Sequence, residues 1–197
     1  MFNHFITKEK NMKSIITTLT LLVCFVFLSQ SSRAEDKEKT ANKFVGIKTC
    51  KMCHTSDKSG KQFDIWSKSK HAEAYKLLES AEADSIVKAR GIKTKAFETK
   101  ECLECHTITA DAKLLDKAFD AKDGIQCEEC HGAGSAFKTM ATMKDKAKAI
   151  EAGLTEYKDN AAIEKKCRTC HNDKSPVKKE FKFDEMWAKI KHPVPKK

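Results

Sequence analysis

Four times in this chain, two cysteines separated by two residues are followed at once by a histidine. Residues 50–54 read CKMCH, 102–106 CLECH, 127–131 CEECH and 167–171 CRTCH. Of the nine cysteines only Cys24 stands outside these units. Two thiols at this spacing reach the two vinyl groups on one porphyrin edge and form thioethers, and the adjacent imidazole then stands where it can bind the iron. The four units therefore read as c-type haem attachment through Cys50, Cys53, Cys102, Cys105, Cys127, Cys130, Cys167 and Cys170, with His54, His106, His131 and His171 as axial ligands. A zinc site takes four ligands from two CxxC units and leaves a histidine after every second cysteine unexplained. Disulfides are compatible with an even number of cysteines in an oxidising compartment. With only seven histidines in 197 residues, however, four chance placements behind CxxC have a probability of order one in a million.

The four units also bear on what can form a core. Apart from alanine, apolar residues are scattered among lysines and acids, and no run of alternating β-branched residues announces a sheet. Such a chain buries too little apolar surface to offset its conformational entropy unless something else contributes. Four porphyrins are large, flat and apolar, and meet that need. The expected fold class is mainly α: a multihaem cytochrome c arrangement of helices and loops wrapped around four covalent haems, with little sheet.

Residues 1–34 read as a secretory signal peptide, with Met12-Lys13 before the apolar run Ile15 to Leu28 and Ser32-Arg33-Ala34 as a small-x-small end. Cys24 leaves with it, and the larger Val23 in front argues against a lipoprotein site. Cleavage near Ala34 would give a periplasmic domain, residues 35–197, not integral to the membrane. The formal charge of +10 falls to about +7 without Lys8, Lys10, Lys13, Arg33 and Glu9. These lysines are spread rather than striped and lack interleaved stacking aromatics, so nucleic acid is not an expected partner. Docking to an acidic patch on a redox protein is.

Successive first cysteines are 52, 25 and 40 residues apart, so the units form no periodic repeat. The short middle interval predicts that the second and third haems are near neighbours. For the second axial positions, residues 35–197 offer only His71 and His192 beyond the motifs. His71, Ala74, Tyr75 and Leu78 recur at i, i+3, i+4 and i+7, one face of a helix; His71 is either a ligand or a satisfied core histidine. His192 follows a second stripe, Phe183, Met186, Trp187 and Ile190. Pro193 disfavours helix at His192 itself, so the imidazole projects from a helix end as a ligand or an ordinary terminal side chain. Met140, Met143, Ala147, Ile150 and Leu154 fall on a third stripe, either plain core or the source of a thioether ligand that raises the haem potential.

The segments TCKMCH, IWSKSKHAEA, GIQCEECHGAGS and FKFDEMWAKIKH resemble, in the same order, those of the tetrahaem cytochrome c-554 family. The resemblance covers nearly all of residues 35–197 and implies a mostly helical fold with closely stacked haem pairs. It further implies that His71 lies opposite His131, that His192 lies opposite His171, and that the haem on His106 is five-coordinate. The chain departs from the family at the first haem, because AFKTMATMKD has no histidine where the family carries the distal ligand. Met143 is the expected replacement opposite His54, with Met140 or an empty site as the alternatives.

Two functions follow. The first is a carrier passing single electrons between a redox-protein donor and acceptor. The second is an enzyme acting on a small nitrogen oxide or hydroxylamine-type molecule at an open iron on His106. The enzyme would need a positioned acid, base or cation at the open face. Asp111, Lys113 and Asp116 follow the second motif, but charges this common read as a solvated face. No CxxCK unit occurs, and the carrier is favoured.

Overall fold

The computed structural model describes residues 41–177 and 179–193. The expected signal peptide 1–34, with Cys24, lies outside them. Among the described residues ten α-helices follow one another: α1 Ile47–His54, α2 Gln62–Ser67, α3 Ala74–Leu77, α4 Ala81–Ala89, α5 Lys100–His106, α6 Cys127–His131, α7 Met140–Met143, α8 Lys146–Glu151, α9 Asn160–Cys167 and α10 Phe183–Ile190. Among the described residues there is no sheet, and one isolated parallel bridge joins Phe44 to Leu115. The mainly helical class expected from the sequence is what the chain adopts. No described helix is long and apolar enough to cross a membrane.

The longest helix among the described residues, α4, has nine residues, and helices of fewer than about 12–15 residues are marginal on their own. Local caps and distant contacts hold them. Ser80 accepts the Ala83 amide at the start of α4, and Asp159 accepts the Ala162 amide at the start of α9, satisfying donors that a helix leaves free at its first turn. Val87 of α4 packs with Leu78 and Ala96, flanked by Phe97, Cys102 and Leu103. This small cluster seats the second CxxCH unit.

A different device seats the third. Glu128 is 3% exposed, and its carboxylate accepts the backbone amides of Val45, Gly46 and Gly134. Gln126 accepts the Ile47 amide and donates to the Asp120 carbonyl. The segment that enters α1 is thus clamped onto the segment that forms α6. A fully buried carboxylate is costly without partners, and here each partner is an amide that also needed an acceptor.

Two helical expectations need correction. The stripe through His71 exists, with Ala74, Tyr75 and Leu78 buried, but His71 sits in the turn ahead of α3 and is not part of the helix. The stripe from Met140 to Leu154 is broken. Asp145, in extended backbone, ends one helix and caps the next by accepting the Lys148 amide. Competition from a short acidic side chain for the backbone interrupts the period there.

Candidate functional site

In a helix, residues i, i+3 and i+4 share a face, so CxxCH wound helically turns both thiols and the imidazole the same way. The first, second and third units do this within α1, α5 and α6, and the fourth begins at the last residue of α9. In the fourth, the His171 amide still donates to the Cys167 carbonyl at 3.0 Å, continuing the turn. All eight cysteines of the units are free, without disulfides. Among the described residues no three His, Cys, Asp or Glu side chains converge into a metal-binding group.

The units meet in pairs. Cys50 and Cys127 are close enough to shift each other's pKa, as are Cys105 and Cys170, and the Cys170 thiol donates to the Glu104 carbonyl at 3.9 Å. The first unit therefore lies against the third and the second against the fourth. The neighbouring thiol lowers the Cys50 pKa and raises that of Cys127. Burial pushes Cys130 up to about 11, and burial together with Cys170 does the same to Cys105. At Cys105, Cys127 and Cys130, though not at Cys50, these settings favour an uncharged sulfur, the state of a thioether.

The imidazoles are also paired. The His71 and His171 ring centroids are 6.1 Å apart, and those of His131 and His192 are 5.8 Å apart. Two imidazoles bound to one iron, each about 2 Å away through nitrogen, have centroids roughly 6 Å apart across it. Both distances suit that arrangement. The partners are exchanged relative to those the family resemblance implies: His71 faces His171 rather than His131, and His192 faces His131 rather than His171. Backbone contacts hold His71 in place. The Ile125 amide donates to the His71 carbonyl at 2.9 Å, and Trp66 Nε1 donates to the Ile125 carbonyl at 2.7 Å. Gly124, at φ +71°, permits this approach, since a Cβ there would lie 2.5 Å from the His71 carbonyl oxygen. Phe181 stacks on His171 at 4.6 Å.

Burial, followed by the neighbouring His192 and His54, holds the His131 pKa down at about 4. Burial and then His171 lower that of His71, and burial lowers His171 although part of that residue remains exposed. Neutral imidazole is the ligating form. His106 Nδ1 lies 2.6 Å from the Ala74 carbonyl oxygen, which only accepts, so Nδ1 carries the proton and Nε2 is left for a metal. His54 makes the equivalent contact to Gln62 Oε1 at 3.2 Å. The third unit is fastened further by the Tyr157 hydroxyl donating to the Cys130 carbonyl and by Glu129 paired with Lys166 at 2.6 Å.

Met143 ends α7 half-buried, whereas Met140 is 62% exposed. Asp111, Lys113 and Asp116 lie in the segment after α5, where Asp111 caps the short turn Ala112–Leu114 and pairs with Lys113. Sequence reasoning missed Gln62, Gln126, Glu128 and Asp123. Asp123 keeps one carboxylate oxygen buried without a hydrogen-bond partner, and burial followed by Asp120 raises its pKa.

Paired thiols, proton-directed imidazoles and facing histidine rings all fit c-type haem. No curated protein and no solved structure matched the chain. Residues 49–132, which hold His71 and the first three CxxCH units, match the family model described as cytochrome c554 and c-prime, and this match supports the c554-like cytochrome family.

Proposed function

We propose that the chain is a periplasmic tetrahaem c-type cytochrome that carries single electrons between a donor and an acceptor redox protein. The family match suggests haem-based electron transfer. The observation that carries the fuller reading is the two facing imidazole pairs, at 6.1 and 5.8 Å, each including the histidine of a CxxCH unit. In this reading His71 and His171 hold one iron and His131 and His192 another. His54 is opposed by Met143, favoured over Met140 by its burial. Residues 35–197 hold no further histidine for His106, and that iron is five-coordinate, as the family resemblance implies. A bound haem supplies an iron that accepts and releases one electron. The chain binds it through two thioethers, directs Nε2 toward it by holding the Nδ1 proton, and shields it from water. Contact between the first and third units, and between the second and fourth, would bring haem edges close enough for electrons to pass among them.

The mass of protein matured through its export pathway tests the count: it should exceed that of the polypeptide by about four haems, and a colourless product of bare polypeptide mass would end the reading. Met143→Ala should abolish a near-infrared methionine-to-iron charge-transfer band, whose persistence would move the assignment to Met140. The second reading, small-molecule chemistry at the iron on His106, follows from that histidine's lack of a histidine partner. High-spin electron paramagnetic resonance and rapid carbon monoxide binding by the reduced protein would support an open iron there, and wholly low-spin spectra would remove it.

A further inference from the structure

The turn between α1 and α2 does more than connect them. Gln62, the first residue of α2, is 8% exposed. Its Nε2 donates to the carbonyls of Ser59 and of Pro193, the latter at 3.0 Å, across 131 positions of chain. Because both of those partners only accept, the amide orientation is fixed and Oε1 must face His54 Nδ1, 3.2 Å away. One buried amide thus touches the imidazole of the first CxxCH unit and the residue next to His192, whose ring faces His131. Gly60 completes the seat. At φ +94°, it lets the C-terminal segment pass so closely that a Cβ would lie 3.1 Å from the Pro193 carbonyl oxygen and 3.2 Å from the Pro193 Cβ.

We propose that Gln62 is a positioning residue joining two haem sites: it orients and polarises His54 through Nδ1, and it latches the His192 arm against His131 through the Pro193 carbonyl. The inference rests on haem ligation by His54 and by the His131–His192 pair. An acceptor on Nδ1–H makes the imidazole a stronger electron donor and favours ferric iron. A latch on an arm that carries a distal ligand sets how readily that ligand gives way to an external one. The two halves of the amide therefore control different observables, and substitutions can separate them.

The experiment uses the mature holoprotein, with peptide mapping of thioether-linked haem at Cys50, Cys53, Cys127 and Cys130 as the first measurement. Absence of haem there in the wild-type protein overturns the haem reading itself. With haem present, Gln62→Leu, Gln62→Glu and Gly60→Val are compared by spectroelectrochemical titration and by carbon monoxide binding to the reduced form. Gln62→Leu loses both contacts, so the potential of the haem on His54 should rise and the carbon monoxide bound per protein should increase. Gln62→Glu keeps and strengthens the acceptor but loses the donor to Pro193: the potential should fall while carbon monoxide binding still increases. Gly60→Val crowds the Pro193 carbonyl and Gln62 Nε2 alike, a Cβ there lying 3.1 Å from each, so it reports on the arm, and carbon monoxide binding should increase. If Gln62→Leu does not mature, the opposed shifts within Gln62→Glu, a lower potential with more carbon monoxide bound, carry the test. Fully loaded variants with unchanged potentials and unchanged carbon monoxide binding, or potentials that move the same way in the leucine and glutamate variants, overturn the proposal.

Discussion

Adjacent glutamates of the third CxxCH unit have different roles, although nothing in the letters CEECH separates them. Glu128 is buried and accepts three backbone amides, whereas Glu129 reaches a half-buried lysine, Lys166. Glu128→Ala strands those amides, and an unsatisfied buried donor costs about 1–3 kcal/mol. The expected loss is about 3 kcal/mol or more, against about 1 kcal/mol for Glu129→Ala, as measured by denaturant unfolding of the holoproteins. Asp123 is the opposite case. Its buried oxygen has no partner and its folded pKa is raised, so ionisation on the way to neutral pH works against the fold. Well below about pH 4, where the carboxyl is protonated in both states, Asp123→Asn should melt like the wild-type protein. Above the raised folded value the asparagine variant should be the more stable, by on the order of 0.5 kcal/mol once solvent screening of a partly exposed group is allowed for. Thermal melts at pH 3 and pH 7 check the sign; a variant less stable at pH 7 would contradict it.

At the scale of elements, the legible features were those fixed by local periodicity. The stripe of Ala74, Tyr75 and Leu78 is buried, and Phe183, Trp187 and Ile190 form one half-buried face of α10, whereas Met186, expected on the same stripe, is exposed. The break at Asp145 had a signal, a capping acid inside the stripe, that apolar spacing alone overrode. Gln62, Gln126 and Glu128 had none, because their partners are mainly backbone groups and lie up to 131 residues away. The caps make a prediction of their own. Asp159 holds the first turn of α9, whose last residue is Cys167 and whose Lys166 binds Glu129. Asp159→Ala should cost about 1 kcal/mol and speed hydrogen exchange at the amides of residues 162–166. Fraying confined to that first turn, with the Lys166 amide still protected, would show that the fourth unit is held by its far end instead.

For the whole molecule, the sequence displays four CxxCH units but not how they associate. Chain spacing pointed to the second and third, and the folded chain joins the first to the third and the second to the fourth. The reason is that Glu128 and Gln126 draw residues 45–47 onto α6, an attachment independent of the loop lengths between units. The side chains around these junctions are few and small. The buried apolar residues are mainly alanine, valine and isoleucine with one phenylalanine and one tyrosine, and the largest side chains below 2% exposure are Gln126 and Val45. A core of this size cannot by itself offset the ordering of so many residues, each costing about 1–2 kcal/mol of backbone entropy. On the proposed reading, covalent haems would belong to the fold as much as to the chemistry, as a structural metal does in a small metal-dependent domain. The chain with its eight motif cysteines changed to alanine should accordingly lack cooperative thermal unfolding and be digested by low protease, while the matured protein resists both. A cysteine-free chain that melts sharply near the holoprotein's temperature would mean that the polypeptide packs its own core and that the four units are attached to a fold already complete.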